Sequence, residues 1–99
     1  MQIKIHSVHF DADQKLKEFV QEKLGKLERF DENIIGMEVF LRDENDGEKN
    51  GKTVEGKVFV PGKDLFAKKS SSDFGSATDD LLGALQRQVK KHKEKLRGA

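Results

Sequence analysis

The sequence contains no cysteine, no tryptophan and no tyrosine, and only one proline. The lack of cysteine excludes disulfide bonds, cysteine-ligated zinc, iron–sulfur clusters and thiol catalysis. It also fits a reducing compartment, so we expect a cytoplasmic protein. No segment approaches the roughly 18 consecutive apolar residues of a membrane helix, and the N-terminal residues MQIKIHSVHF lack the apolar stretch of a signal peptide. We therefore expect no membrane as a partner.

The charge of the chain is unevenly distributed, although its net value is only +1. The length of 99 residues predicts a single domain, residues 1–99, with a thin core. Residues 1–49 contain eight Lys and Arg against twelve Asp and Glu, whereas residues 50–99 contain eleven against six. The last sixteen residues contain six basic groups and one acid. Such a segment can bind polyanions; alternatively, it is a solvated helix whose charges suit the helix dipole.

The hydrophobic pattern of the first thirty residues predicts a strand followed by an amphipathic helix. Gln2–Ser7 alternates between apolar and polar residues, as strands do. Asp11 is the predicted N-cap of the helix, with Gln14 completing a capping box. The apolar spacing continues to about Phe30 and makes one stripe. Gly25 lies inside this helix, and close packing against another element would explain it.

Three further strands and a second helix follow. The strands are predicted at Ile34–Arg42, with Ile35 among the inward residues, at Lys52–Pro61 and at Leu65–Lys69. The acidic segment Asp43–Gly51 predicts an exposed hairpin loop, and Pro61-Gly62-Lys63-Asp64 predicts a turn.

The last helix is predicted from Asp73, or a neighbouring serine, to about Arg97. The order is therefore β-α-β-β-β-α, an α+β fold. We expect a two-layer sandwich in which both helices cover one face of a four-stranded sheet and the other face is partly wet.

The basic residues of the second helix are predicted to point away from the core. A helical projection places Arg87, Lys90 and Lys91 opposite the apolar residues, with Lys93 at the margin. Further marginal cations are Lys95 and Arg97, and the apolar face comprises Phe74, Ala77, Leu81, Leu82, Leu85, Val89 and Leu96. His92 falls on the apolar line, where a histidine at the core boundary is expected rather than a catalytic one.

The first helix contains a smaller basic cluster, Lys23, Lys26 and Arg29. If the two helices lie side by side, this cluster faces the groove beside Arg87 and Lys91. Two rows of cations match the repeated phosphates of a nucleic-acid backbone better than they match a small acidic substrate. We therefore expect no small-molecule substrate. The simpler alternative is that these lysines only cover the edge of the core with their stems.

Three phenylalanines are predicted on the wet face of the sheet, namely Phe40, Phe59 and Phe66. If adjacent strands bring them together, they form an exposed aromatic patch. Such a patch could stack RNA bases or form a protein interface, including weak self-association. A different strand register, or a minor second core beneath the loop, would explain the same residues.

The sequence contains no recognisable catalytic or metal-binding constellation. Its glycines do not have the spacing of a phosphate-binding loop, and the Ser70–Ser72 run lacks an activating partner. His6 and His9 are unlike a zinc pair, and Asp43–Glu48 lacks the spacing of a calcium loop. Asp79-Asp80 suits a helix N-terminal charge pair better than an acid–base dyad. We therefore expect no catalytic residue, no metal and no cofactor, and hence not an enzyme.

Two segments of the chain resemble a known family. One is KLGKLERF (23–30) with the extended segment that follows it, and the other is LFAKKSSSDF (65–74) leading into LLGALQRQVKKHKEKL (81–96). Together, and in this element order, they resemble the bacterial ribosome hibernation promoting factor family, which includes the ribosome-associated inhibitor and is sigma modulation protein-like. The similarity spans nearly the whole chain and is to the short form, without a further dimerisation domain.

The resemblance implies a fold like that of double-stranded-RNA-binding domains. It implies inhibition of translation in stationary phase or stress, by binding the small ribosomal subunit in the channel for messenger and transfer RNA. The partners would be that subunit and its ribosomal RNA. The implied RNA contacts, carried over residue by residue, are Lys23, Lys26, Arg29, Arg87 and Lys91, with Lys90 and Lys93 as additions.

The chain departs from the family pattern at two positions. Family members often have lysine where Ala84 stands, which would redistribute one phosphate contact, and an aromatic residue where Gly75 stands. Two alternative functions remain at this point. One is a general RNA-binding module that uses the phenylalanine face of the sheet, and the other is a protein-interaction domain that uses the same face.

Overall fold

The structure, a computed structural model, describes residues 1–43 and 51–98, and the side chains of residues 1–43 and 51–95. The predicted element order is confirmed. The strands are β1 (Gln2–Val8), β2 (Gly36–Asp43), β3 (Lys52–Val60) and β4 (Lys63–Ser71), and the helices are α1 (Gln14–Gly25), the 3₁₀ helix η1 (Lys26–Arg29) and α2 (Phe74–Gly98). Within the described residues, no helix is long and apolar enough to cross a bilayer.

The four strands form one mixed sheet in the order β1-β2-β3-β4. Strands β2, β3 and β4 form the predicted antiparallel meander. Strand β1 pairs in parallel with β2, so α1 and η1 form the crossover between them. Such a crossover packs α1 back onto one face of the sheet.

The core lies between this face and the two helices. It contains Met37, Val39 and Leu41 of β2 together with Leu81, Leu85 and Val89 of α2, and Val20 and Leu24 of α1. Because residues of both helices join a single cluster with alternate strand residues, the two-layer α+β sandwich is confirmed.

Gly56 allows α2 to pack closely on β3. A Cβ atom at this position would lie 3.1 Å from Leu85 Cδ1 and 3.2 Å from Leu81 Cδ2. A larger residue would push these leucines away, so the glycine sets how near α2 approaches the sheet.

The first helix differs from the prediction at both ends. Its N-cap is Asp13, whose Oδ1 accepts the Leu16 N–H at 2.8 Å, and Asp11 lies outside the helix. The α-helix ends at Gly25, and the chain continues as η1. No atom of another element lies within 4 Å of a Cβ built at Gly25, so close packing does not explain this glycine. It stands instead where the helix tightens.

Strand β2 begins later than predicted, which changes the role of Ile35. This residue precedes the strand and is 66% exposed, whereas Ile34 is 5% exposed and joins the core. The Ile35 N–H donates to the carbonyl of Phe59 at 2.8 Å. The prediction of Ile35 as an inward residue was therefore wrong, because strand alternation starts only at Gly36.

The β3–β4 hairpin is tighter than predicted. Val60 pairs with Lys63, so the turn consists of Pro61 and Gly62 alone. Gly62 has φ of 79°, which suits proline followed by glycine in a type II turn. Strand β4 therefore begins at Lys63, before the predicted Leu65, and it also extends past the predicted Lys69 to Ser71.

The acidic hairpin loop was predicted at Asp43–Gly51. Asp43 belongs to β2, and its Oδ2 lies 2.6 Å from the Nζ of Lys52. Residues 44–50 lie outside the described residues. At the start of α2, Asp73 is the cap as predicted, since its Oδ1 accepts the Ser76 N–H at 2.7 Å.

Candidate nucleic-acid interface

The outer surface of α2 presents basic side chains, as the helical projection predicts. Arg87, Lys90 and Lys91 are exposed, and Lys93 is half-buried. Leu85 and Val89, on the opposite side of the same turns, are fully buried. The apolar stripe thus fixes the helix rotation, and the cations are left for solvent or a ligand.

The cations of α2 divide between two flanks. Lys90 and Lys93, with Glu94, line a groove of about 390 Å³ beside Phe30 at the end of η1. Lys91 lies on the other flank, where it lines a cavity of about 140 Å³ with residues of β4 and α2, namely Lys63, Leu65, Gln88, His92 and Lys95. Lys91 therefore does not line the groove beside the first helix, in contrast to the expectation from the sequence.

The basic cluster of the first helix is also divided. Lys23 belongs to α1, and its Nζ lies 3.2 Å from Asp79 Oδ1 of α2 and 5.8 Å from the Phe19 ring centroid. Lys26, which is half-buried, and Arg29, which is exposed, belong to η1. Lys23 thus connects the two helices and has a carboxylate partner.

Six of the seven predicted RNA-contact residues have no carboxylate partner within the described part of the chain. We call these six the cationic surface: Lys26, Arg29, Arg87, Lys90, Lys91 and Lys93. Their charges are available to a polyanion without first breaking an ion pair. Lys93 makes one internal contact, because its Nζ donates to the carbonyl of Phe30 at 3.2 Å. This bond joins η1 to α2 and brings the two parts of the surface together.

The open sheet face, which is the face turned away from the helices, contains the three predicted phenylalanines, and none of these rings stacks on another among the described residues. Phe40 pairs across the sheet with Glu55, and Phe66 pairs with Lys57, so charged residues of β3 lie between these two rings. Phe40 stacks instead on His6, with 4.9 Å between ring centroids. Self-association through this face stays a prediction.

Ion pairs lie among these rings. The Nε2 of His6 lies 2.9 Å from Glu38 Oε2, and the Nε of Arg42 lies 2.8 Å from Glu55 Oε1. Lys68 Nζ lies 3.9 Å from the same Glu55 oxygen. The open sheet face therefore pairs several of its charges internally, unlike the cationic surface.

Three residues near the cationic surface were missed by sequence reasoning. Phe30 was assigned to the apolar stripe but is 45% exposed. Lys63 was assigned to a turn and Lys95 to a margin, yet both line the cavity with Lys91. Gly25 was the sequence feature that could have indicated the exposure of Phe30. The α-helix ends there, and the 3₁₀ geometry that follows rotates the later side chains away from their α-helical positions.

His92 lies at the edge of the core, where the sequence placed it. Its ring is half-buried, and its Nε2 is closed off from solvent without a hydrogen-bond partner among the described residues. Within that same part of the chain, no three His, Asp or Glu side chains come together as metal ligands would.

Comparison with known proteins gives a consistent result over nearly the full chain. Residues 3–97 match the family described as Sigma 54 modulation protein / S30EA ribosomal protein. A ribosome hibernation promoting factor of Pseudomonas putida is 35% identical over 95 residues, which are 96% of this chain and 89% of the relative. The protein of that name from Escherichia coli K12 is 33% identical over 97 residues, or 98% of each chain.

The fold has a solved counterpart. The structure of a ribosomal subunit interface protein from Coxiella burnetii superposes with a TM-score of 0.82 at 24% sequence identity, covering 94% of this chain and 98% of the other. At this level of identity the likeness concerns the fold.

Proposed function

This chain belongs to the Sigma 54 modulation protein / S30EA ribosomal protein family, and on that premise we propose that it is a ribosome hibernation factor. It binds the small ribosomal subunit in the channel for messenger and transfer RNA, and it inhibits translation in stationary phase or stress. The relatives named ribosome hibernation promoting factor support this proposal, since they match almost the whole chain. A cytoplasmic location follows from the partner.

The observation that supports RNA binding most directly is that the cationic surface has no carboxylate partner among the residues that the structure describes. An ion pair would have to be broken before its lysine could contact a phosphate, which would reduce the gain from binding. Arg87, Lys90 and Lys91 require no such step within the described residues. Each cation that neutralises a phosphate also releases condensed counterions, which drives association at moderate salt.

The proposed mechanism is occupancy rather than catalysis. The cationic surface holds ribosomal RNA phosphates, and the sheet layer behind it fills space that messenger and transfer RNA would otherwise use. The packing of Leu81 and Leu85 against Gly56 holds α2 on the sheet, so the cations keep their spacing. Because the helix backbone is already ordered, binding costs little further backbone freedom, and the entropy cost falls mainly on the lysine and arginine side chains.

Charge reversal of α2 tests the proposal. The combined change Arg87→Glu, Lys90→Glu and Lys91→Glu should abolish co-sedimentation with purified small ribosomal subunits and inhibition of a cell-free translation reaction. These side chains are exposed, so the fold should persist, which circular dichroism can verify.

A matched control variant combines Lys4→Glu, Lys15→Glu and Lys68→Glu, three exposed lysines outside the cationic surface. It has the same net charge as the test variant and should still bind. Equal binding by the two variants, whether retained or lost in both, would contradict the proposed site. Failure of the wild-type protein to bind small subunits would contradict the proposed function itself.

A further inference from the structure

Phe30 is an exposed aromatic ring on a fixed piece of backbone. It follows η1 directly, and 45% of its surface is exposed. Its N–H donates to the carbonyl of Leu27 at 3.0 Å, and its own carbonyl accepts a bond from Lys93 Nζ at 3.2 Å. The backbone at Phe30 is thus bonded on both sides, to the preceding turn and to α2, and this fixes the point from which the ring projects.

The ring forms one wall of a groove whose other described walls combine aliphatic stems with charged ends. Lys90, Lys93 and Glu94 line the rest of this cavity of about 390 Å³. Because these three residues are spaced i, i+3 and i+4 on α2, they share one side of the helix. We call this cavity the Phe30 groove.

The chemistry of the Phe30 groove suits a nucleobase better than an apolar peptide side chain. An apolar side chain would contact the Phe30 ring and the lysine stems, but it would offer no partner to the charged ends of Lys90, Lys93 and Glu94. A base needs only one ring to stack on, and it places its own phosphates beside the ring, where lysines can contact them. Glu94 fits the same occupant, since a carboxylate accepts hydrogen bonds from the amino groups of bases but repels phosphate.

We propose that Phe30 is a stacking platform for one unpaired base of the RNA that the cationic surface binds, with Lys90 and Lys93 on the adjoining phosphates. This inference rests on the proposed function and adds a base contact to binding that would otherwise be made through phosphates alone. Single-stranded and looped RNA presents such bases, whereas a regular duplex does not.

The chain offers a sharp reporter for this contact, because it contains no tryptophan. The Phe30→Trp variant would place the only indole of the protein in the Phe30 groove. On addition of small ribosomal subunits, its fluorescence should be strongly quenched by stacking on a base.

A matched control is Phe66→Trp. Phe66 is 51% exposed, close to the value for Phe30, but it lies on the open sheet face. Its fluorescence should change little under the same conditions, and it corrects for absorption of light by ribosomal RNA. Inorganic polyphosphate, a polyanion without bases, should bind the Phe30→Trp variant without quenching it.

A second variant measures the contribution of stacking to affinity. Phe30→Leu keeps an apolar side chain but removes the aromatic face, and the exposure of this position means that the fold should tolerate it. Co-sedimentation with small subunits should weaken by about 5- to 150-fold, the range expected when one base loses its stacking partner. Phe66→Leu should bind as wild type does.

The outcomes separate the inference from the proposed function. If wild type binds small subunits but Phe30→Trp binds them without quenching, the stacking platform is refuted and the hibernation function stands. Quenching by polyphosphate equal to that by ribosomal RNA would also refute stacking, as would full affinity of Phe30→Leu. If wild type does not bind small subunits at all, the proposed function fails first.

Discussion

The cationic surface and the open sheet face both contain basic side chains, but those side chains differ in whether they have a carboxylate partner. On the open sheet face, Arg42 and Lys68 share the carboxylate of Glu55, and His6 contacts Glu38. On the cationic surface, Arg87 and Lys90 have no carboxylate partner among the described residues. A surface whose cations are already paired within the protein gains less from a polyanion than one whose cations have no such partner.

Aromatic residues sharpen the same contrast. Phe66 and Phe30 are similarly exposed, but Phe66 lies on the open sheet face opposite the single lysine Lys57, whereas Phe30 borders both Lys90 and Lys93 in one groove. An exposed ring becomes a candidate for base stacking only where cations can hold the adjoining phosphates. The surroundings of a side chain therefore matter more than its type.

The largest expected difference between the two faces is in how their lysines contribute to the salt dependence of binding. If the six cations of the cationic surface contact RNA phosphates as proposed, affinity for small ribosomal subunits should fall by about 1,000-fold or more between roughly 50 and 200 mM salt. In co-sedimentation across this range, Lys91→Gln should reduce the slope of log affinity against log salt by about one. Lys68→Gln, on the open sheet face, should leave the slope unchanged. Equal slopes for the two variants would contradict the contrast between the faces.

Weakening the core beneath α2 should lower the stability of the fold without changing how binding depends on salt. Leu85 is fully buried and packs over Gly56, so Leu85→Ala should lower the free energy of unfolding by about 2–5 kcal/mol. Urea denaturation followed by circular dichroism measures this. Below its melting temperature the variant should still bind small subunits with the salt slope of wild type, since it retains every cation.

The matching surface change for this experiment is Lys90→Gln. It should leave the unfolding free energy within about 0.5 kcal/mol of wild type while reducing the salt slope. A large loss of stability in Lys90→Gln, or a normal stability in Leu85→Ala, would show that core and surface are assigned incorrectly.

Releasing Lys23 from its partner should have the smallest effect. Asp79→Asn removes the carboxylate 3.2 Å from Lys23 Nζ and should cost less than about 1 kcal/mol of stability, because the pair is partly exposed. It should also strengthen binding to small subunits modestly, since it frees a seventh cation and removes a negative charge. Asp80→Asn removes an exposed acid without a described partner, and comparison with it isolates the contribution of Lys23. Weaker binding by Asp79→Asn would mean that the bridge positions Lys23 for RNA.

Much of the fold was predictable because local patterns agree with the final packing. The spacing of Leu81, Leu85 and Val89 identified the buried side of α2, and Asp73 identified its cap. Alternation in β3 placed Val54 and Val58 in the core. These predictions succeed because burial of an apolar stripe depends on helix or strand period alone.

The errors occurred where the helical or strand periodicity changes and where the neighbours of a helix face depend on packing. Ile35 precedes its strand, so alternation counted through it put the wrong isoleucine in the core. Phe30 follows a 3₁₀ segment, and a projection at α-helical spacing hides its exposure. Lys91 was predicted beside the first helix, but it lies on the side of α2 that faces β4, whereas Lys90 and Lys93 face Phe30. Only the tertiary packing decides which side of α2 meets which neighbour.

The sequence alone determined the order of elements, the inward residues of the long helix and the set of basic residues on its outer side, because each follows from local spacing and charge. Only the tertiary structure decided which charges are paired. Lys23 meets Asp79 across two helices, while Lys93 reaches the carbonyl of Phe30. Such contacts join residues far apart in the chain, and their distances depend on how the helices dock on the sheet, which no local pattern records.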